Sequence, residues 1–131
     1  MIFLLKTNAV NIEELRAYCL SRPEVTEHFP FDEVTLVFKV AGKMFALIPT
    51  DELELSIALK CDPARAQELR EHFPSITGAY HMNKTHWNTV RMGPGITDEL
   101  LKELIDHSYA LIVASLPRKT KEKLSGKKEG S

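Results

Sequence analysis

Val34-Thr-Leu-Val-Phe-Lys-Val-Ala-Gly-Lys-Met-Phe-Ala-Leu-Ile48 is the stretch that decides the fold. Two runs of β-branched, aromatic and aliphatic residues flank Ala41-Gly42, the signature of two strands joined by a tight hairpin turn. Downstream, Leu55, Ile57 and Leu59 alternate with polar or small residues, the two-residue period of a half-buried strand. Asp62-Pro63 then supplies an N-cap and a proline suited to the first helical position, predicting a helix through about His72. Ala79 to Met82 and His86 to Met92 read as a second hairpin around Asn83-Lys-Thr85. Gly93-Pro-Gly95 breaks the chain, and Thr97 opens a last helix with an apolar stripe from Leu100 to Ile112, ending by Pro117. Upstream, Asn11-Ile-Glu-Glu14 has the form of a capping box, with Ile12, Leu15, Tyr18 and Cys19 at helical spacing behind it. Pro23 ends that helix near Ser21, and Phe29-Pro-Phe31 is an aromatic connector. Three helices against an antiparallel sheet of about five strands make an α+β domain with one sheet face left open.

The totals agree with one domain. A chain of 131 residues with 44% hydrophobic and 27% charged residues has enough apolar surface for a single core. Cys19 and Cys61 form no CxxC pair and sit in apolar patterns, as buried thiols of a reducing compartment do. Met1 to Leu5 is too short an apolar run for a leader or a membrane span, so the expected location is the cytoplasm, with no membrane contact. The net charge of −1 is uneven: residues 1–116 carry −5, and the six basic residues from Arg118 onward leave the terminus at +4. Such a terminal run is ordinarily a solvated, frayed tail. The expected organisation is therefore an N-terminal extension at 1–10, one domain at 11–116 and a basic tail at 117–131.

Alternation also assigns the open face. With Leu36, Phe38 and Val40 inward, Thr35, Val37 and Lys39 point outward. A two-residue turn pairs Val40 with Lys43, which sends Phe45 and Leu47 inward and Met44, Ala46 and Ile48 outward. Ser56, Ala58 and Lys60 join them, as do Trp87, Thr89 and Arg91. The outward set is small or apolar at its centre, holds Lys39, Lys60 and Arg91, and presents Trp87 as an exposed contact residue.

The residues offer little enzymatic chemistry. His81 and His86 flank a turn, but no HxxxH or HExxH lies on a helix and no cysteine pair completes a metal set. Ser108 follows His107, yet adjacent helical residues point about 100° apart and form no nucleophile–base pair. No GxSxG, phosphate loop or dinucleotide fingerprint is present. A non-enzyme without metal or cofactor is the expectation. Cations beside an aromatic residue, by contrast, are a footprint for nucleic acid.

Tyr80-His-Met-Asn-Lys-Thr-His-Trp-Asn-Thr-Val90 and Phe38-Lys-Val-Ala-Gly-Lys-Met-Phe-Ala-Leu47 together resemble the MmcQ/YjbR family of small bacterial proteins. Glu27-His-Phe-Pro-Phe31, Leu59-Lys-Cys-Asp-Pro63 and His107-Ser-Tyr109 fit it in order, so the resemblance spans about residues 11–124. It implies a fold similar to the bacterial frataxin-like (CyaY-like) α+β sandwich. It also implies DNA binding through paired hairpins acting as a double wing, here those around Gly42 and Lys84. Residues 1–10 lie upstream of the usual family start, and Thr77-Gly-Ala-Tyr80 lacks the Pro-Gly pair that often precedes the tyrosine. The first helix offers only Glu13 and Glu14, so the iron-binding acidic helix of frataxins does not carry over.

The expected function is therefore non-enzymatic DNA binding, with Lys39, Lys43, Lys60, Lys84 and Arg91 on phosphate and His86 and Trp87 beside them. The alternative is a protein-interaction module that uses the open face around Trp87 for a partner or a second copy. The expected state is a monomer or weak dimer.

Overall fold

The computed structural model describes residues 11–80 and 82–130. The N-terminal extension at 1–10 and His81 lie outside the described residues. The order is α1 (Ile12–Leu20), β1 (Val25–His28), β2 (Thr35–Val40), β3 (Lys43–Pro49), β4 (Ser56–Lys60), α2 (Pro63–His72), β5 (Ile76–Gly78), β6 (Trp87–Arg91), α3 (Asp98–Ala114) and α4 (Arg118–Gly130). The strands form one antiparallel sheet in the order β1-β2-β3-β4-β6-β5.

The helices begin where their caps place them. The Asn11 side chain accepts from the Glu14 N–H at 2.8 Å, and the Glu14 carboxylate accepts from the Asn11 N–H at 3.0 Å. Asp62 caps α2 by accepting from Arg65 N–H, with Pro63 in its first turn. Thr97 caps α3 through the Leu100 N–H. The three helices cover one face of the sheet. Leu15 and Cys19 of α1, Ala66 and Leu69 of α2, and Leu104, Ile105 and Ile112 of α3 share a buried cluster with the inward strand residues. Phe38, Phe45, Ile48 and Ile57 are fully buried there, and each contributes roughly 1.5–3 kcal/mol by leaving water.

The β2–β3 turn is tight, with Ala41 at φ 51° and Gly42 at φ 80°, and it pairs Val40 with Lys43 and Lys39 with Met44. Beyond Met44 the register slips. Phe38 lies opposite Ala46 instead of Phe45, so Phe45 is the extra residue of a β-bulge. Phe45 and Ala46 are both fully buried against the helices. Past the bulge the predicted faces of β3 are exchanged: Ala46 and Ile48 lie in the helix-side core, and Leu47 points away from it. Four apolar residues in a row, Phe45 to Ile48, carry no alternation to hold the unbroken register.

Two strands differ from expectation. Val25–His28 is a strand rather than part of a connector, and pairs with β2. The hairpin strand before Trp87 is Ile76–Gly78, not Ala79 to Met82. Ala79 N–H still donates to the Trp87 carbonyl at 3.0 Å, and residues 82–86 lie outside the ladder because Asn83 organises a local turn: its side chain accepts from Thr85 N–H, and its carbonyl from His86 and Trp87 N–H. The basic terminus carries the helix α4, whose Leu124 packs on the main core. No helix among the described residues is long and apolar enough to cross a membrane.

Ser108 closes the gap that the bulge opens. It is fully buried on α3, accepts from Lys60 N–H at 2.9 Å and donates to the Phe45 carbonyl at 2.6 Å. Ser108→Ala leaves the buried Phe45 carbonyl and the part-buried Lys60 N–H without this partner and lowers unfolding free energy by about 1–3 kcal/mol, read as a fall in urea midpoint at unchanged slope. Ala41→Asn, better suited to φ > 0 before Gly42, raises the midpoint by up to about 1 kcal/mol equivalent.

Candidate functional site

The sheet has two dissimilar ends. One, the hairpin end, holds the Ala41-Gly42 turn, the end of β4 at Lys60 and the turn 79–86. The other, the loop end, holds residues 29–34 and 50–55, which meet where Thr50 donates to the Val34 carbonyl at 2.7 Å. The two tips of the hairpin end sit about 14 Å apart, three strand spacings, with β4 between them.

On the face away from the helices, one row crosses all six strands: His28, Val37, Leu47, Ala58, Thr89 and Thr77. Its centre is closed over. Val37, Leu47, Ala79 and Trp87 are buried together, with Met44, Ala58 and Met82 packed against them. Trp87 points to the predicted face but is only 9% exposed, so the exposed contact tryptophan is corrected to a packing residue. Ala79 and Met82 join that packing, an arrangement that follows from the early end of β5.

Lys39 and Lys60 stand on this face at the hairpin end, two strands and about 10 Å apart. Arg91 shares the face but not the end. It lies four residues along β6 from Trp87, the partner of Lys60, and donates to Thr77 Oγ1 at 2.8 Å. Lys43 lies opposite inward-facing Val40, on the helix side of its tip. Lys84 is also on the helix side. Its stem lies against Gly78, where an added Cβ would meet Lys84 Cγ at 3.1 Å, and Gly78 pairs with Asn88, whose amide reaches α2. Lys84 Nζ rests 5.6 Å from the Tyr80 ring. His86 is half-buried, and its carbonyl accepts from Cys61 N–H. The structure thus gathers Lys39, Lys43, Lys60 and Lys84 at one end, on both sides of the sheet, and leaves Arg91 apart.

Arg70 and Asn88 position this end and were not foreseen. Arg70 Nη1 donates to Asn88 Oδ1 at 2.8 Å and to the Lys84 carbonyl at 3.1 Å, and the Asn88 amide donates to Ala66 O. They tie the turn to α2. The available signal was Asn88 itself, a polar residue at an inward position between Trp87 and Val90.

The charges are segregated. Among the described residues no outward strand position carries Asp or Glu, since Glu27 turns to Arg16 on α1. Asp32, Glu33, Asp51, Glu52 and Glu54 occupy the loop end, joined by Glu13, Glu14, Asp98 and Glu99 in the first turns of α1 and α3. Those first turns lie at the loop end, because Glu14 and Asp98 line one groove and α3 runs from the end of β6 toward Lys60. These nine carboxylates sit away from the lysines, while Glu24, just before Val25, and Asp62, just after Cys61, are the acidic residues next to the hairpin end.

Other groups are structural. His107 Nε2 accepts from Asp62 N–H at 3.2 Å. Cys19 and Cys61 are buried free thiols, Cys19 pushed up to about 12 by burial and Cys61 raised for the same reason. Among the described residues no three His, Cys, Asp or Glu side chains converge as metal ligands.

The family model YjbR matches residues 20–111. The chain belongs to the YjbR family. The Escherichia coli protein YbdF is 35% identical over 112 residues, covering 86% of this chain and 92% of its own. YjbR of Escherichia coli is 30% identical over 115 residues, covering 88% and 98%. Among solved structures, a Deinococcus radiodurans protein with a DUF419 domain superposes with TM-score 0.83 at 39% identity, covering 88% of each chain. A Pseudomonas syringae protein superposes with TM-score 0.67 at 27% identity, covering 78% and 98%. The α+β architecture is thus shared with these relatives.

The ion pairs of this YjbR chain make its stability depend on acid. Arg16 holds the Glu27 carboxyl, and Arg65 the Glu103 carboxyl, below the usual glutamate range, and backbone N–H groups of Thr35 and Val34 do the same for Asp32. Lowered folded values mean stabilisation that is present above the ordinary carboxylate range and lost as pH falls through the lowered ones. The urea midpoint should fall on acidification below about pH 4.5, and Glu27→Gln/Glu103→Gln should flatten that fall.

Proposed function

We propose that this YjbR-family chain is a non-enzymatic DNA-binding protein that holds backbone phosphate with the hairpin end of its sheet. The observation that carries the reading is the charge segregation: four lysines converge at that end while the outward strand positions bear no carboxylate. Phosphate contact needs local positive potential rather than a positive net charge. The two tips act as a double wing, Lys43 and Lys84 at its margins and Lys39 and Lys60 on the face between them. α4, entered from the hairpin end of α3, adds Arg118, Lys119, Lys121 and Lys123. The same reading takes the fold as a CyaY-like sandwich working in the cytoplasm. The alternative of a partner or a second copy gripped by Trp87 has less support, because that ring is already packed.

Fluorescence anisotropy with a labelled DNA duplex across a salt series tests the proposal. Affinity should fall steeply with salt, and Lys39→Glu/Lys60→Glu should reduce the slope of log K against log salt by about 2. Arg91→Glu should cost less, and Glu52→Gln/Glu54→Gln should cost nothing. Absence of binding at low salt, or full affinity in the double lysine variant, refutes it.

A further inference from the structure

The loop end carries a second feature that DNA binding leaves unused. Phe29, Phe31 and Leu53 are 51%, 63% and 110% exposed. They are three of the four large exposed hydrophobic residues among those described, and all three lie on the adjoining loops 29–34 and 50–55. Exposed large apolar side chains on neighbouring loops at one end of a sheet offer a contact surface.

The two loops are held at their junction. Thr50 donates to the Val34 carbonyl through both its N–H and its hydroxyl at 2.7 Å. Asp32 Oδ1 accepts from Val34 N–H at 3.0 Å and Thr35 N–H at 2.7 Å, closing a turn directly after Phe31. A surface presented this way loses little freedom when a partner arrives.

The surrounding charge indicates what that partner is. Asp32, Glu33, Asp51, Glu52 and Glu54 flank the three hydrophobic residues, and residues 29–34 and 50–55 contain no Lys or Arg. Nucleic acid is repelled by such a rim, whereas a segment with apolar residues between cations satisfies both parts. We propose that the loop end docks a cationic, amphipathic segment of a protein partner, with Phe29, Phe31 and Leu53 as anchors and the five carboxylates as the rim. The chain would then bind DNA at one end and a protein at the other. The two proposals stand separately, because they use opposite ends of the sheet.

The test is a backbone amide NMR titration of the labelled full chain with a synthetic peptide that alternates lysine with leucine and tryptophan. Shifts should concentrate in residues 29–34 and 50–55, and a glutamate-for-lysine peptide should produce none. Phe31→Ser/Leu53→Ser, which changes exposed side chains only, should weaken binding by about tenfold at an unchanged melting temperature. Shifts concentrated elsewhere, undiminished binding by that variant, or equal binding of a lysine peptide without apolar residues would each overturn the proposal. Movement of the same amides with protein concentration alone would assign the surface to a second copy and overturn it equally.

Discussion

Between the end of β4 and the middle of β3 the sheet does not close on itself, and the hydroxyl of Ser108 supplies the missing link. It receives the Lys60 N–H and passes a hydrogen bond to the Phe45 carbonyl. The Phe45 carbonyl is buried and the Lys60 N–H part-buried, and away from water an unmet hydrogen bond costs more than a met one contributes. The bulge at Phe45 is affordable only because α3 brings a small donor-acceptor side chain to that point. The bulge in turn decides which of the residues Phe45 to Ile48 face the helices. Leu47 reaches the far face through it, and there joins Val37 and Trp87.

That dependence reaches the candidate site. Closing the centre of the far face with Val37, Leu47 and Trp87 removes the apolar surface that a protein partner would have sought there. Around it stand Lys39, Lys60, Arg91, Thr77 and Thr89, beside the half-buried Met44 and Met82. The turn around Asn83 belongs to the same arrangement, because Ala79 and Met82 complete the packing while Arg70 holds the Lys84 carbonyl and Asn88. Lys84 is therefore placed by the hydrogen bond that its carbonyl accepts from Arg70, which is itself anchored on Asn88.

The distribution of charge gives the molecule two chemically opposite ends. Helix N-termini favour carboxylates, and the first turns of α1 and α3 both fall at the loop end, so Glu13, Glu14, Asp98 and Glu99 add to the acidic loops. The lysines collect at the other end because two antiparallel hairpins side by side must turn at the same edge. A chain with a net charge of −1 can thus offer one end to an anion and the other to a cation.

Much of this was legible locally. The three caps, the Ala41-Gly42 turn and the strand of Ile57 and Leu59 are set by short-range chemistry: side-chain oxygens near orphan N–H groups, a positive φ at glycine, and the two-residue period. The family was likewise readable from short strings around Gly42 and Trp87, and the α+β class followed from the order of elements. What no local pattern contained was the bulge, since a run of four apolar residues fits either register until α3 and its Ser108 arrive. The burial of Trp87, the helix-side placement of Lys84 and the short strand Val25–His28 have the same origin. Each depends on a partner distant in sequence, so only the assembled fold selected it.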